Sequence, residues 1–515
     1  MANYRKNNSN KMIYNIFAVL VTFSSGVLIN FFLSPFIVEK VGLEAFGFVT
    51  LSNNIIVYLE MLTIAINSMG GRYIALSFHQ NDKKKTTEFF STLFTANVIV
   101  AFVVLVLGWG YICWLDYFVF VPVEIYYDVK LLFMFLLFNF CLTMIMSAYG
   151  SIYIITNTIY ISSELQLKGN IIKLAVIVAL YCFLPPYISY YALAILISTL
   201  FVKYNDFKNK SILTPTLICN VKSAKWYCFC KLTGSGFWNM INRLGSVLSV
   251  NLDVLFVTVF LGTESTGVYG LVKIIPTFFY SITGTMVSVF FPNLIEMYAK
   301  KDMQKMKLEI LKSMKLFAAI FNIPIVIFLA FGDSFFELWV PTQNAYNLYI
   351  LSAILLFSLT VVGPATLIYN VFTVVNKVRL SSLLILFTGI CAVIAVYVSL
   401  KYSNWGLMGV AFFPTFFNLI RNVLFVIPYG GICLGEKWQC FFPITIKSLM
   451  LAIACVFIGL GVKKVVEINS WLSFISVVVF LSIITFLFYY MFLFNKEDRR
   501  KINIKLVSIK ERVLE

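Results

Sequence analysis

The chain has 515 residues, of which 60% are hydrophobic and only 12% charged, and its mean hydropathy is +0.90. This balance excludes an ordinary soluble domain, and repeated apolar runs near the ~20 residues that cross a bilayer predict an all-α, polytopic membrane protein. The formal net charge of +17 could suggest nucleic-acid binding. The basic residues are however dispersed among short loops, as the positive-inside rule expects, so no nucleic-acid partner is predicted.

The apolar segments define the predicted topology. Only "PPY" at 185–187 separates the fifth segment from the sixth, but merging them would place the basic stretch 496–512 outside, against the positive-inside rule. Keeping them separate puts both termini in the cytoplasm. The fourteen predicted transmembrane helices are 12–37, 45–69, 89–113, 131–153, 165–184, 187–203, 234–261, 265–291, 314–331, 347–373, 380–400, 406–428, 442–462 and 471–494.

The two halves of the chain repeat. The stretch "GLEAFGFV" at 42–49 matches "STGVYGLV" at 265–272, and both follow a first helix that runs outward. This predicts a parallel repeat with its axis along the membrane normal. The predicted domains are an N-lobe of six helices (1–203), a cytoplasmic linker (204–231), a C-lobe of six helices (232–428), and two further helices with a basic tail (429–515).

Three stretches resemble the oligosaccharide flippases for O-antigen or capsule within the multidrug/oligosaccharidyl-lipid/polysaccharide (MOP) exporter superfamily. They are "VEKVGLEAFGFVTL" at 38–51, "NLDVLFVTVFLGTESTGVYGLVKIIP" at 251–276 and "FFPNLIEMYAKKDMQKMKLEI" at 290–310. The resemblance implies two lobes around a central cavity that opens alternately to either face. It implies an undecaprenyl-pyrophosphate-linked oligosaccharide as cargo, moved from the cytoplasmic to the periplasmic leaflet of a bacterial inner membrane. A polysaccharide polymerase and a chain-length regulator are the expected partners.

Two charges flank the turn near Thr263 in the middle stretch. Asp253 precedes the turn and Lys273 follows it, each by about ten residues. If the two arms are antiparallel helices, both charges lie roughly 15 Å below the turn, close to the bilayer centre. Either the two side chains form a structural ion pair, in which each offsets the desolvation of the other, or Lys273 binds an anionic cargo. In the second case, Asp253 pairs with Lys273 until the cargo arrives.

Two arginines are further candidates for the pyrophosphate of the cargo. Arg243 offers a planar fork of donors, although it could instead extend to the inner interface. Arg72 ends the second helix on the predicted cytoplasmic side, where a plain positive-inside anchor is the alternative. Glu60 is the candidate for coupling to an ion or proton. Arg421 and Lys447 are interpreted as markers of the inner interface.

Polar side chains recur at helical spacing on three predicted helices. Such stripes are typical of helices that line a cavity, and interhelical hydrogen bonding in a packed bundle is the alternative. Besides the charges above, their members are Asn53 and Asn67 on the second helix, Asn239 on the seventh, and Thr277 and Tyr280 on the eighth.

Two other function classes compete with a flippase. A multidrug cation antiporter of the same superfamily would need acidic or aromatic groups for its drugs, and a membrane glycosyltransferase or polymerase would need a larger external loop or a carboxylate motif. The chain has ten cysteines but only one histidine, His79, and the pair "CFC" at 228–230 lacks a second pair nearby. No metal, cofactor or ATP hydrolysis is therefore predicted.

Overall fold

The computed structural model describes residues 2–156, 158–215, 217, 219–496 and 498–500. These residues form helices and connecting turns without any β-strand, as the composition predicts. The predicted tail lies mostly outside the described residues. The chain divides into two compact units, Met1–Leu271 and Val272–Glu515.

The first unit holds nine complete α-helices and the start of a tenth. Its core lies where α2, α3 and α6 meet around Ile74, Phe90 and Ile152, which are buried. The helices are α1 (Ala2–Val41), α2 (Leu43–His79), α3 (Lys83–Cys113), α4 (Leu115–Phe118), α5 (Tyr126–Ile145), α6 (Ser147–Ile155), α7 (Ile159–Phe183), α8 (Ser189–Leu213), α9 (Trp226–Val250) and α10 (Leu252–Ala299).

The second unit continues from α10 and is built around α11. Its helices are α11 (Met303–Trp339), α12 (Ala345–Phe357), α13 (Leu359–Ala365), α14 (Tyr369–Val374), α15 (Val378–Tyr402), α16 (Gly406–Arg421), α17 (Ile427–Cys433), α18 (Phe442–Lys463) and α19 (Trp471–Phe492). A π-helical turn, Asn422–Val426, joins α16 to α17.

The last two helices are fixed to α11 by apolar and polar contacts. The side-chain amide of Asn322 donates to Ser448 on α18 and to Tyr489 on α19, each at 3.0 Å. Lys463 forms an ion pair with Asp333, which joins α18 to the far end of α11. The two helices that follow the two predicted six-helix lobes are therefore packed parts of the second unit.

Helix length and apolarity give a lower count of spans than the sequence prediction. Eleven helices in the described part of the chain can cross a membrane, or twelve if the two arms of α2 form one bent span. The count of fourteen is not confirmed. The predicted segments 234–261 and 265–291 fall in one apolar stretch, Gly236–Gly284, which is counted once although α10 is broken within it at Gly262. Most of the predicted segment 187–203 lies in α8, whose second half is polar. The protein is nevertheless a multi-pass helical membrane protein.

Two matched turns support the internal repeat. Asn81 and Lys301 both adopt left-handed backbone conformations, with φ of 58° and 57°. The next residue in each case, Asp82 or Asp302, caps a helix by accepting a hydrogen bond from the backbone N–H three residues later. The same turn and Asp cap therefore precede α3 and α11, which are the third helices of the two predicted halves.

The repeated glycine motif forms a close helix crossing within the first unit. A Cβ atom on Gly47 would lie 2.0 Å from the carbonyl oxygen of Thr263, and one on Gly267 would lie 2.2 Å from that of Leu43. Only residues without a side chain permit this approach of backbones. The Thr263 hydroxyl also donates to the Glu44 carboxylate at 2.9 Å. The motif therefore joins the start of α2 to the part of α10 that directly follows Gly262.

Candidate functional site

The predicted hairpin about Thr263 is present in the first unit. Gly262 has φ 86° and ψ 174°, a conformation that favours glycine, and α10 folds back there. The hydroxyls of Thr258 and Thr266 lie 2.9 Å apart across the fold. The segments 252–261 and 263–271 are therefore antiparallel, as predicted.

Asp253 is held by groups that the sequence analysis did not identify. Its side chain is 7% exposed. One oxygen accepts a hydrogen bond from the Tyr269 hydroxyl at 2.7 Å, and the other accepts from the backbone N–H of Val254 at 2.8 Å. These bonds offset part of the desolvation of a buried carboxylate. Lys273 is half-buried on α10 in the second unit, and its pairing with Asp253 stays a prediction.

Arg243 and Glu60 lie together between α9 and α2. The Nη2 atom of Arg243 is 3.7 Å from the Oε2 atom of Glu60, and the two side chains are 36% and 52% exposed. The Nε atom of Arg243 is buried, and no described residue accepts a hydrogen bond from it. A long, half-exposed ion pair of this kind contributes little stability, so a stronger anionic ligand can displace the carboxylate.

α2 is bent immediately after Glu60. The helix bends by 59° between Met61 and Thr63. The Thr63 hydroxyl donates to the carbonyl oxygen of Glu60 at 2.8 Å, a side-chain bond of the type that bends helices. Next to the bend, the Tyr58 hydroxyl donates to the carbonyl oxygen of Asn251 at 2.7 Å and fixes α2 to the end of α9.

The polar stripe predicted on α2 contacts three different sets of helices. Asn53 donates to Tyr191 on α8 at 3.3 Å. The side-chain amides of Asn67 and of Asn97 on α3 donate to each other's side-chain oxygens. The Ser147 hydroxyl on α6 also donates to the side-chain oxygen of Asn67. The contacts of Asn53 and Asn67 fit the alternative of interhelical hydrogen bonding, whereas Glu60 alone of the three forms an ion pair.

The remaining candidates lie apart from this pair. Arg72 is exposed near the end of α2, and Asn239 is half-buried on α9 one turn from Arg243. In the second unit, Thr277 is exposed, and the Tyr280 hydroxyl accepts a hydrogen bond from Asn418 at 3.4 Å. Within the described residues, no group of three or more His, Cys, Asp or Glu side chains could hold a metal ion.

Comparisons with solved structures identify this arrangement of helices. The lipid II flippase MurJ in an inward closed conformation matches with a TM-score of 0.67 at 13% identity, over 93% of this chain and 98% of that one. An inward-facing multidrug resistance MATE family transporter of the MOP superfamily matches with a TM-score of 0.65 at 13% identity, over 82% and 98%. The chain has the fold of the MOP superfamily. The predicted resemblance is therefore confirmed at the level of the fold.

Sequence comparison adds one relative of nearly equal length. The chain is 25% identical over 493 residues to the uncharacterized membrane protein EpsK of Bacillus subtilis (strain 168), covering 95% of this chain and 97% of that protein. No protein-family model matches the sequence.

Proposed function

We propose that this protein is a flippase that moves an undecaprenyl-pyrophosphate-linked oligosaccharide from the cytoplasmic to the periplasmic leaflet by alternating access. The observation that carries the proposal is the state of Arg243. Its side chain is half-exposed within an apolar helix, its Nε atom has no acceptor among the residues that the structure describes, and its counter-ion lies at 3.7 Å. A cation kept in the membrane with so weak a partner suits a ligand with a strong negative charge.

A pyrophosphate fits this cation better than the carboxylate of Glu60 does. Guanidinium and phosphate form short, bidentate, charge-assisted hydrogen bonds, roughly twice as strong as neutral ones. Glu60 then neutralises Arg243 while the site is empty and is displaced when the cargo enters. Lys273 and Arg72 are proposed as further cations for the pyrophosphate, and Asn239, Thr277 and Tyr280 as polar groups along its path.

The extent of the structural likeness also supports a lipid-linked cargo. The match to the lipid II flippase covers 93% of this chain, and the match to the multidrug transporter covers 82%. The greater coverage by the lipid II flippase is consistent with a helix bundle in this chain that continues through α18 and α19, which are fixed to α11. Movement would not need ATP, and the expected location is the bacterial inner membrane.

A multidrug cation antiporter is the second candidate, because Glu60 is a half-exposed carboxylate and the MATE likeness is also strong. The two functions differ in which side chain binds cargo. If the protein is a flippase, Arg243→Ala abolishes surface polysaccharide in its host while Glu60→Gln retains part of it. A cation antiporter shows the reverse pattern, with drug resistance lost in Glu60→Gln and surface polysaccharide unaffected by either change.

A cell-level experiment tests the proposal directly. Cells that lack the protein should accumulate lipid-linked oligosaccharide in the cytoplasmic leaflet and lose surface polysaccharide, and the wild-type gene should restore both. Unchanged levels of both in the deletion strain would exclude the flippase function.

A further inference from the structure

A lysine within the first unit is surrounded by polar side chains of three other helices. Lys173, on α7, donates from Nζ to the side-chain oxygen of Asn30 on α1 at 3.0 Å and lies 5.1 Å from the ring centre of Tyr191 on α8. The Tyr191 hydroxyl in turn accepts a hydrogen bond from the Asn53 amide on α2. Among the described residues, no carboxylate forms an ion pair with Lys173, so no described anion compensates its charge.

Lys173 lies at membrane depth and does not extend toward the cytoplasm. It is eight residues inside the predicted helix 165–184, or roughly 12 Å from its cytoplasmic start by helical rise. Its partners Asn30 and Tyr191 lie nearer the predicted external ends of their own helices, so the side chain points outward. A lysine that marked the inner interface would turn the other way. A charge at this depth normally faces protein or a water-filled cavity.

The polar cluster faces the inside of the helix bundle. On α1, the exposed apolar side chains of Leu28 and Phe32 lie four residues apart on one face, and Asn30 lies between them in sequence. Since each residue turns a helix by about 100°, Asn30 is on the opposite face, where it is nevertheless exposed. Lys173 likewise lies on the opposite side of α7 from the exposed Ile171. An exposed amide turned away from the apolar surface indicates a space that water can enter.

The cluster lies two helical turns along α2 from the pair of Arg243 and Glu60. Asn53 and Glu60 are seven residues apart in the part of α2 before its bend, so they share a face and are separated by roughly 10 Å along the helix. Asn53 contacts Tyr191, and Glu60 contacts Arg243. Because α2 runs toward the predicted cytoplasmic side, the lysine lies beyond the arginine for a cargo that enters from the cytoplasm. A cargo with its pyrophosphate at Arg243 can therefore place its nearest sugars beside Lys173.

We propose that Lys173 binds a carboxylate on a sugar of the cargo, so that the protein selects acidic oligosaccharides, such as those that contain a uronic acid. This inference rests on the proposed function and leaves the pyrophosphate with Arg243. The Lys173 ammonium supplies the charge, and the Asn30 amide, whose N–H groups donate to no described residue, supplies a second donor beside it. Tyr191 and Asn53 are positioning residues, since the ring of Tyr191 holds the ammonium by a cation–π contact and Asn53 holds the ring.

The charge of the cluster matches a carboxylate better than a second phosphate. Its contacts include one cation, which balances the single charge of a carboxylate. A phosphate monoester carries nearly two negative charges at neutral pH, so part of its charge would remain uncompensated at membrane depth. Amide groups beside an aromatic ring also suit the hydroxyl groups and the apolar face of a sugar.

Two matched cargos test the inference in the wild-type protein. Undecaprenyl-pyrophosphate-linked disaccharides that end in glucuronic acid or in glucose differ only in a carboxylate that replaces a hydroxymethyl group. The purified full-length protein should bind the acidic disaccharide roughly ten- to hundredfold more tightly, because a charge-assisted contact is added. Equal affinities would overturn the inference, even if both cargos bind tightly.

Three variants test whether Lys173 is the source of the preference. Lys173→Met removes the charge and keeps the apolar stem, so the affinity for the acidic disaccharide should fall to that for the neutral one. Asn30→Asp keeps the acceptor for Lys173 and neutralises the cation, and should have the same effect at normal membrane abundance. Lys168→Met, on the same helix, removes an exposed lysine that is paired with Glu164, and should retain the wild-type preference.

The outcomes separate this inference from the proposed function. A wild-type preference in both Lys173→Met and Asn30→Asp would overturn the inference. Equal loss of both disaccharides in these variants, at normal abundance, would overturn it as well, by assigning Lys173 to a group that all cargos share. Arg243→Ala should weaken both disaccharides equally, because both carry the pyrophosphate. A wild-type protein that binds neither disaccharide would refute the proposed function itself.

Discussion

The guanidinium of Arg243 lies 3.7 Å from the carboxylate of Glu60, across two helices that are far apart in sequence. The pair is half-exposed, so it holds the two charges near neutrality without binding them tightly. This arrangement permits an anionic ligand to compete with Glu60 for the arginine.

Substitution of Arg243 tests whether it recognises the pyrophosphate. Arg243→Ala removes a charge-assisted contact worth about 1.5–3 kcal/mol, so the affinity for undecaprenyl pyrophosphate should fall roughly ten- to hundredfold. Arg243→Lys should restore part of it, since it keeps the charge and loses the planar fork. Equilibrium binding to the purified protein measures both, and equal affinities in all three proteins would contradict the assignment.

Glu60→Gln should have the opposite effect on binding. An exposed ion pair contributes about 0.2–1 kcal/mol, so removing the competing carboxylate should tighten binding by at most about fivefold. The same change should slow transport, because the empty carrier then keeps an unneutralised cation in the membrane. Weaker binding in Glu60→Gln would show that Glu60 contacts the cargo or its coupling ion directly.

Substitution of Tyr269 tests whether its hydrogen bond to the buried Asp253 stabilises the fold. Tyr269→Phe removes one donor from a carboxylate that is 7% exposed, and should cost about 1–3 kcal/mol of stability, visible as reduced membrane abundance or a lower Tm. Phe keeps the ring and its packing, so the hydroxyl alone is tested. A Tm equal to that of the wild type would mean that another group already compensates the charge.

The double variant Asp253→Asn with Lys273→Gln addresses the role of Lys273. If Lys273 serves only as a partner for Asp253, the single variant Lys273→Ala should accumulate poorly and the double variant should recover both abundance and export. If Lys273 binds cargo, the double variant should accumulate normally and remain inactive. An abundant, fully active double variant would remove Lys273 from the cargo site.

The close crossing of α2 and α10 predicts a strict requirement for glycine. Gly47→Ala places a Cβ atom 2.0 Å from a backbone oxygen, which cannot rotate away, so the helices must separate at a cost of about 1–3 kcal/mol or more. Gly461→Ala adds the same methyl group where no atom lies within 4 Å and should be tolerated. Thermal unfolding of the two purified variants should therefore differ, and equal Tm values would contradict the crossing.

Native cysteines provide a test of the predicted topology. Cys113 and Cys182 are exposed at the external ends of predicted helices, and Cys230 is exposed within the predicted cytoplasmic linker. An impermeant maleimide should label the first two in intact cells and reach Cys230 only after permeabilisation. Burial raises the pKa of the Cys219 and Cys228 thiols, so fewer thiolates form at neutral pH and both should react slowly until the pH is raised. Labelling of Cys230 in intact cells would show that the orientation in the membrane is opposite to the predicted one.

The sequence predicts positions along the helices better than contacts between them. Apolar runs and helical rise located the hairpin about Thr263 and the repeated glycine motif, because both depend on local spacing. The pairing of Glu60 with Arg243 depends on the register between α2 and α9, which no local pattern reveals. The bend of 59° in α2 also separates Asn67 from Asn53 and Glu60, although a spacing of seven along a straight helix predicts one face for all three.

Two other residues show the same limit. The sequence indicates Tyr269 only as part of the repeat, because its hydrogen bond to Asp253 forms only when α10 folds back at Gly262. The depth of Arg421 predicts an interface marker, but hydrogen bonds to Asn418 and Thr388 set the direction of its side chain. Depth can be estimated from a sequence, whereas rotation about a helix axis requires the packed structure.

Translocation in proteoliposomes tests the central claim most directly. The purified protein is reconstituted without ATP, and movement of a fluorescent undecaprenyl-pyrophosphate-linked oligosaccharide is compared with uptake of an organic cation. We predict that the wild type moves the lipid-linked oligosaccharide, that Arg243→Ala at equal abundance does not, and that the cation is not transported. Transport of the cation, or a strict requirement for ATP in moving the lipid-linked oligosaccharide, would contradict the proposed flippase.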